Sequence, residues 1–122
     1  MLKEHEEVIE EHVIEIMNKI IKDGVLHKPL LVDINYNIIL DGHHRYHALK
    51  RLKARRIPVF YVDYFSKDVI VSSWRHGIIV GKDLVIRIAL SGRKLPPKTT
   101  RHILRGISVP EINLPLTSLL KL

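Results

Sequence analysis

Ile39-Leu40-Asp41-Gly42-His43-His44-Arg45-Tyr46-His47-Ala48-Leu49 passes from an apolar, β-branched run through a glycine into a helical pattern. Tyr46, Leu49 and Leu52 recur at i, i+3 and i+6 on one helix face, which leaves Arg45, Lys50 and Arg51 to face solvent or an anion. The stretch therefore predicts a strand, a glycine turn and a helix over His43–Leu52. The unpaired N–H groups and dipole of that helix favour a phosphate at its start. His44 and Arg45 add donors there, and an Arg can fork onto two phosphate oxygens. The same residues also suit a polar surface turn. His43 and His47, at i and i+4, share a helix face and raise a zinc reading. No Glu stands between them in the zincin arrangement, and there is no Cys.

Working outward, Leu30–Ile34 and Ile38–Leu40 flank Asn35-Tyr36-Asn37 and predict a hairpin. Before them, Ile9, Val13, Ile16, Met17 and Ile20 form the apolar stripe of a helix over Glu6–Asp23, stopped by Gly24. After the His43 helix, Ile57–Tyr64 and Val69–Ser73 read as strands joined by a second hairpin or a short crossover. Gly81–Leu90 reads as a helix ending at Gly92, and Pro96-Pro97 forbids its extension. Thr99 or Thr100 is expected to cap a further short helix through Leu104. Ile107–Leu122 reads as an edge or a docked tail. The pattern is α/β of the α+β kind: one domain over residues 1–122, with a small mixed sheet and helices packed against it.

The 122 residues suffice for one compact core. The absence of Cys excludes disulfides, thiolate metal sites and thiol catalysis. No apolar run is long enough to span a bilayer and the first residues lack a signal-peptide core, so a cytoplasmic protein without a membrane partner is expected. The net charge of +7 points to an anionic partner: nucleic acid, nucleotide phosphate or an anionic membrane. Much of the acid lies in the first fifteen residues. The lack of Gln with abundant Ile, Lys, Arg and Glu fits a thermophilic source.

A second cluster, Pro97-Lys98-Thr99-Thr100-Arg101-His102, gathers hydroxyls, cations and an imidazole. It reads either as another anion site at a helix start or as a capped helix with a solvated basic face. Two such clusters favour a polyphosphate. Glu10, Glu11 and Glu15 suit a solvated helix face, whereas Glu6 or Glu7 would serve as a general base if folding placed it beside the phosphate site. Trp74 suits either the core or a substrate wall.

The Asp41–Arg45 turn resembles the phosphate-binding motif of the ParB/sulfiredoxin-like fold. His43 stands where sulfiredoxins carry their catalytic cysteine, which excludes that activity, and the Glu-Arg-Arg run of chromosome-partitioning ParB proteins is missing at His43–Arg45. Glu4-His5-Glu6, Asp41–Arg45, Val62-Asp63-Tyr64-Phe65, Ser73-Trp74 and Pro97–His102 together resemble the archaeal ADP-dependent free-serine kinases, in order and across most of the chain. The resemblance implies transfer of a phosphoryl group from ADP, or ATP, to the hydroxyl of L-serine with Mg²⁺, giving O-phospho-L-serine. It implies Glu6 as the base and Asp41 near the reacting phosphate and metal. Gly42, His43, His44, Arg45, Thr99, Arg101 and His102 fall at phosphate-binding positions, and Trp74, Lys98 and Thr100 around the amino acid. Family members usually carry a strand before the Glu4-His5-Glu6 block and a long segment before Lys98. Without that strand a homodimer or exchanged strand is expected. The competing reading is a ParB-like, nucleotide-dependent DNA-binding module or a nuclease, and a kinase needs Glu6 where a DNA clamp does not.

Overall fold

The computed structural model describes residues 1–121. In chain order the elements are α1 (Glu10–Asp23), β1 (Val25–Leu26), β2 (Leu30–Asp33), β3 (Ile39–Asp41), α2 (His43–Arg51), β4 (Val59–Val62), β5 (Val69–Ser73), α3 (Lys82–Ser91), β6 (Thr100–Leu104), β7 (Leu114–Pro115) and α4 (Leu116–Leu120).

β2 is the central strand of a mixed sheet ordered β3-β2-β4, antiparallel to β3 through the expected hairpin and parallel to β4. All four β2 residues are buried: Leu30-Leu31-Val32 is the apolar run of a strand covered on both faces, and the Asp33 carboxylate accepts the Tyr36 and Tyr64 N–H groups. Leu30, Val32 and Ile39 pack towards Tyr46 of α2, whereas Leu31 joins Tyr64 and the α3 residues Val85 and Ala89. A separate cluster, formed by Val13 and Ile20 of α1, Ala48 and Leu49 of α2, Leu26 and Leu119, holds α1 against α2. Leu119 belongs to the docked tail: its carbonyl accepts from the Arg55 N–H at 2.8 Å, while β7 pairs with β1.

Three expectations are corrected. The first helix begins at Glu10 and not at Glu6, because residues 3–7 run extended and spend their main-chain groups elsewhere. Lys3 N–H donates to Asn37 O and Ile39 N–H to Lys3 O, both at 2.8 Å, so the chain lines the outer edge of β3 with its own residues. Farther on, Glu7 N–H donates to Leu95 O and Leu95 N–H to His5 O, also at 2.8 Å. The second correction is that β4 and β5 are not partners: β4 is held by β2, and β5 pairs antiparallel with β6. The third follows from the second. Thr100–Leu104 is not a capped helix but strand β6, in register with β5 from Val69↔Leu104 to Ser73↔Thr100. A Thr and an Ile beside an open strand edge gain more from cross-strand pairing than from a short isolated helix.

Candidate active site

The β3–α2 turn forms one wall of a cleft of about 550 Å³. Gly42 has φ +107°, a conformation that side chains oppose. A Cβ there would also lie 2.7 Å from Leu30 Cδ2 and 2.9 Å from Arg45 Nη2. The glycine thus lets the chain turn under Arg45. No side chain caps α2, so its first N–H groups remain open. Arg45 is fixed from behind, Nη1 donating to Lys28 O at 3.2 Å and Pro29 O at 2.9 Å, and its Nη2 lies 3.6 Å from Asp41 Oδ2. Asp41 itself is largely solvent-exposed.

The opposite wall is built from the two ends of the chain. The Glu6 carboxylate is buried in a nest of N–H groups from the loop entering β6. Its Oε1 accepts from Thr99 N–H (3.1 Å), Thr100 N–H (2.7 Å) and the Thr100 hydroxyl (2.8 Å), and Oε2 accepts from Lys98 N–H (3.2 Å). The bend that aims these donors inward places Lys98 at φ +54°. The β5–β6 register carries Trp74 to the rim, where the residue is 61% exposed and its backbone N–H donates to Thr99 O at 3.1 Å. Arg101 lies over the Trp74 ring at 4.6 Å and orients it.

Histidines fill the space beneath and between. Ile9 N–H donates to His44 Nε2 at 3.0 Å and His5 N–H to His43 Nε2 at 3.2 Å. A nitrogen that accepts leaves the other ring nitrogen to carry the proton. Neutral His44 therefore offers Nδ1–H, and its ring lines the cleft. His5, His43 and His102 pack edge to face below it. Burial pushes His5 down to about 4 and His102 to about 3, and burial with the neighbouring imidazoles holds His43 well below its ordinary value. His102 Nε2 lies 2.8 Å from the Tyr64 hydroxyl.

The structure thus brings Glu6, Asp41, Gly42, His43, His44, Arg45, Trp74, Lys98 and Thr100 to one cleft. Thr99, Arg101 and His102 stand behind its wall: Thr99 is buried with its hydroxyl on Pro96 O at 2.6 Å, Arg101 backs Trp74 and His102 is bonded to Tyr64. Ile16 of α1 and Leu40, which the sequence marks only as part of a helix stripe and a strand run, add apolar lining to the cleft. The zinc reading of His43 and His47 fails, because His43 accepts the His5 N–H and His47 is bonded to Glu4. Among the described residues no group of three or more potential ligands is placed to hold a metal, and no helix is long and apolar enough to cross a membrane.

No family model matches the chain. A free serine kinase in complex with AMP superposes with a TM-score of 0.85 over 97% of this chain and 90% of that one, at 19% identity. The chain has the fold of the free serine kinases. In sequence it is 39% identical over 82 residues to an ATP-dependent L-serine kinase of Desulfurococcus mucosus, covering 64% of this chain and 32% of that protein. It is also 41% identical over 86 residues to a ParB-like protein of Sulfolobus acidocaldarius, covering 70% of this chain and 42% of that protein. The matched stretches thus span only about a third to two fifths of the length of these relatives.

Proposed function

We propose that this chain transfers a phosphoryl group from ADP or ATP to the hydroxyl of free L-serine, giving O-phospho-L-serine. The observation that carries this reading is the placement of a buried carboxylate, Glu6, across one cleft from an uncapped helix start with its Arg45 and His44 donors. In this reading the α2 N–H groups, His44 Nδ1–H and Arg45 hold the terminal phosphate and stabilise charge as the leaving nucleotide departs. The serine oxygen attacks that phosphorus, the bond to the nucleotide oxygen breaks, and the hydroxyl proton passes to Glu6. Trp74, Lys98 and Thr100 surround the amino acid. Thr99, Arg101 and His102 serve by holding the wall on which these groups sit.

A single exposed carboxylate beside a phosphate site fits Mg²⁺, which is held by one or two carboxylates plus substrate phosphates and water. Asp41 would hold it, and the ion would neutralise charge on the phosphate oxygens. The similarity to serine kinases with ATP and ADP in their names supports both donors. The test is ³¹P NMR of the protein with Mg²⁺ and L-serine against ADP, ATP and CTP in parallel. Phosphoserine from one donor, lost in Glu6→Gln with nucleotide still bound, is the expected result; no product in any tube overturns the reading.

A second reading, binding of duplex nucleic acid, is favoured by one observation. Lys50, Arg51, Lys53, Arg55 and Arg56 lie within seven residues free of acids, all exposed, and make up five of the 20 Lys and Arg of the chain. Of these five, only Arg51 has a carboxylate partner among the described residues, Glu10. If this face binds duplex, anisotropy of a labelled duplex will show binding that weakens steeply with salt and is lost in Lys53→Glu/Arg55→Glu.

A further inference from the structure

The hydroxyl of Thr100 has one proton and two neighbours, Glu6 Oε1 at 2.8 Å and His5 Nε2 at 3.0 Å. A carboxylate that already accepts three N–H groups offers only lone pairs, so the Thr100 proton must point to Glu6. The Thr100 oxygen can then meet His5 only as an acceptor, which requires the proton of His5 on Nε2. His43 and His44, whose Nε2 atoms accept, carry theirs on Nδ1. His5 is accordingly the one of these three histidines with the opposite tautomer. Its choice is enforced by the site: with the Thr100 proton on Glu6, the opposite tautomer would set the His5 Nε2 lone pair against the Thr100 oxygen at 3.0 Å.

We propose that His5 is a positioning residue for Glu6, acting through Thr100: its Nε2–H fixes the Thr100 hydroxyl as a donor, which locks Oε1 and leaves Oε2 as the oxygen with free acceptor capacity. The asymmetry is on the carboxylate itself. Oε1 accepts three hydrogen bonds and Oε2 one, from Lys98 N–H at 3.2 Å. An incoming hydroxyl proton therefore has one destination. The catalytic meaning of this chain rests on the kinase reading, but the chain itself does not.

Two measurements test it. Long-range ¹H–¹⁵N correlation spectra of the uniformly labelled protein report each ring's tautomer. His5 is expected as Nε2–H and His44 as Nδ1–H, and His5 as Nδ1–H overturns the proposal whatever the activity. The second compares His5→Gln, whose amide N–H can replace Nε2–H, with His5→Leu, which fills similar space without a donor. His5→Leu is expected to lower kcat by roughly 10- to 100-fold with KM for serine unchanged, the range for removing an outer partner of a reacting group, and His5→Gln to restore most of it. Equal loss in both folded variants, or loss confined to KM, overturns the positioning role. If the native chain phosphorylates no serine, the kinase reading falls, and the tautomer spectra alone decide the His5–Thr100–Glu6 chain.

Discussion

Arg45 Nη2 and Asp41 Oδ2 stand 3.6 Å apart across the Gly42 turn, while the other arm of the guanidinium is held by the Lys28 and Pro29 carbonyls. The cation is thereby presented to the cleft without a bidentate carboxylate to neutralise it. Arg45→Ala is expected to weaken ADP by roughly 10- to 100-fold, the worth of a charged hydrogen bond, and AMP much less. Titration calorimetry with both nucleotides checks this, and parallel weakening removes Arg45 from the terminal phosphate.

At Gly42 both the φ of +107° and the crowding by Leu30 and Arg45 oppose any side chain. Gly42→Ala is expected to cost about 1–3 kcal/mol of stability and to displace Arg45. Urea unfolding measures the first and nucleotide binding the second. A variant as stable as the native chain that still binds would show that the turn relaxes freely.

Tyr64 is fully buried and its hydroxyl meets His102 Nε2. Tyr64→Phe leaves that nitrogen without its partner and is expected to cost roughly 1–3 kcal/mol, with nucleotide affinity unchanged. A shift in the denaturation midpoint without a change in slope is the signature. An unchanged midpoint would mean that the bond contributes nothing net.

The buried histidines make stability depend on pH in a defined direction. His5 and His102 stay neutral in the fold down to about 4 and about 3, whereas the unfolded chain protonates them near 6.5. Between those values unfolding takes up protons, so their contribution is complete above 6.5 and is lost as pH falls through the window. The loss is on the order of a few kcal/mol. Melting temperatures at pH 8, 6.5 and 5 should be close for the first pair and drop sharply for the second. A flat profile would place these rings in contact with water.

Local chemistry made much of this molecule legible. The helix stop at Gly24 appears at φ +70°, the Asn35–Asn37 hairpin and the Asp41–Arg45 turn stand where the pattern put them, and α3 ends at Gly92. What the sequence hid was partnership. Glu6 lies on a continuous helical period with Ile9 and Val13, and only a hydrogen-bonding partner at Leu95 makes it extended. Thr100–Leu104 carries capping residues, and only the edge of β5 makes it a strand. His5 showed no signal beyond its place beside Glu6, since its role depends on the direction of a proton on a residue 95 positions away.

The cleft joins Glu6 to Lys98, Thr99 and Thr100, more than ninety positions downstream. During synthesis from the first residue onward, α1, α2 and the mixed sheet are complete while the N–H nest for Glu6 has not been made. Bringing these distant segments together comes late, after loop closure over most of the chain. A partly made chain therefore has the phosphate wall without the facing carboxylate in place, and in the proposed reading it remains inert towards substrate until the last strands are in hand.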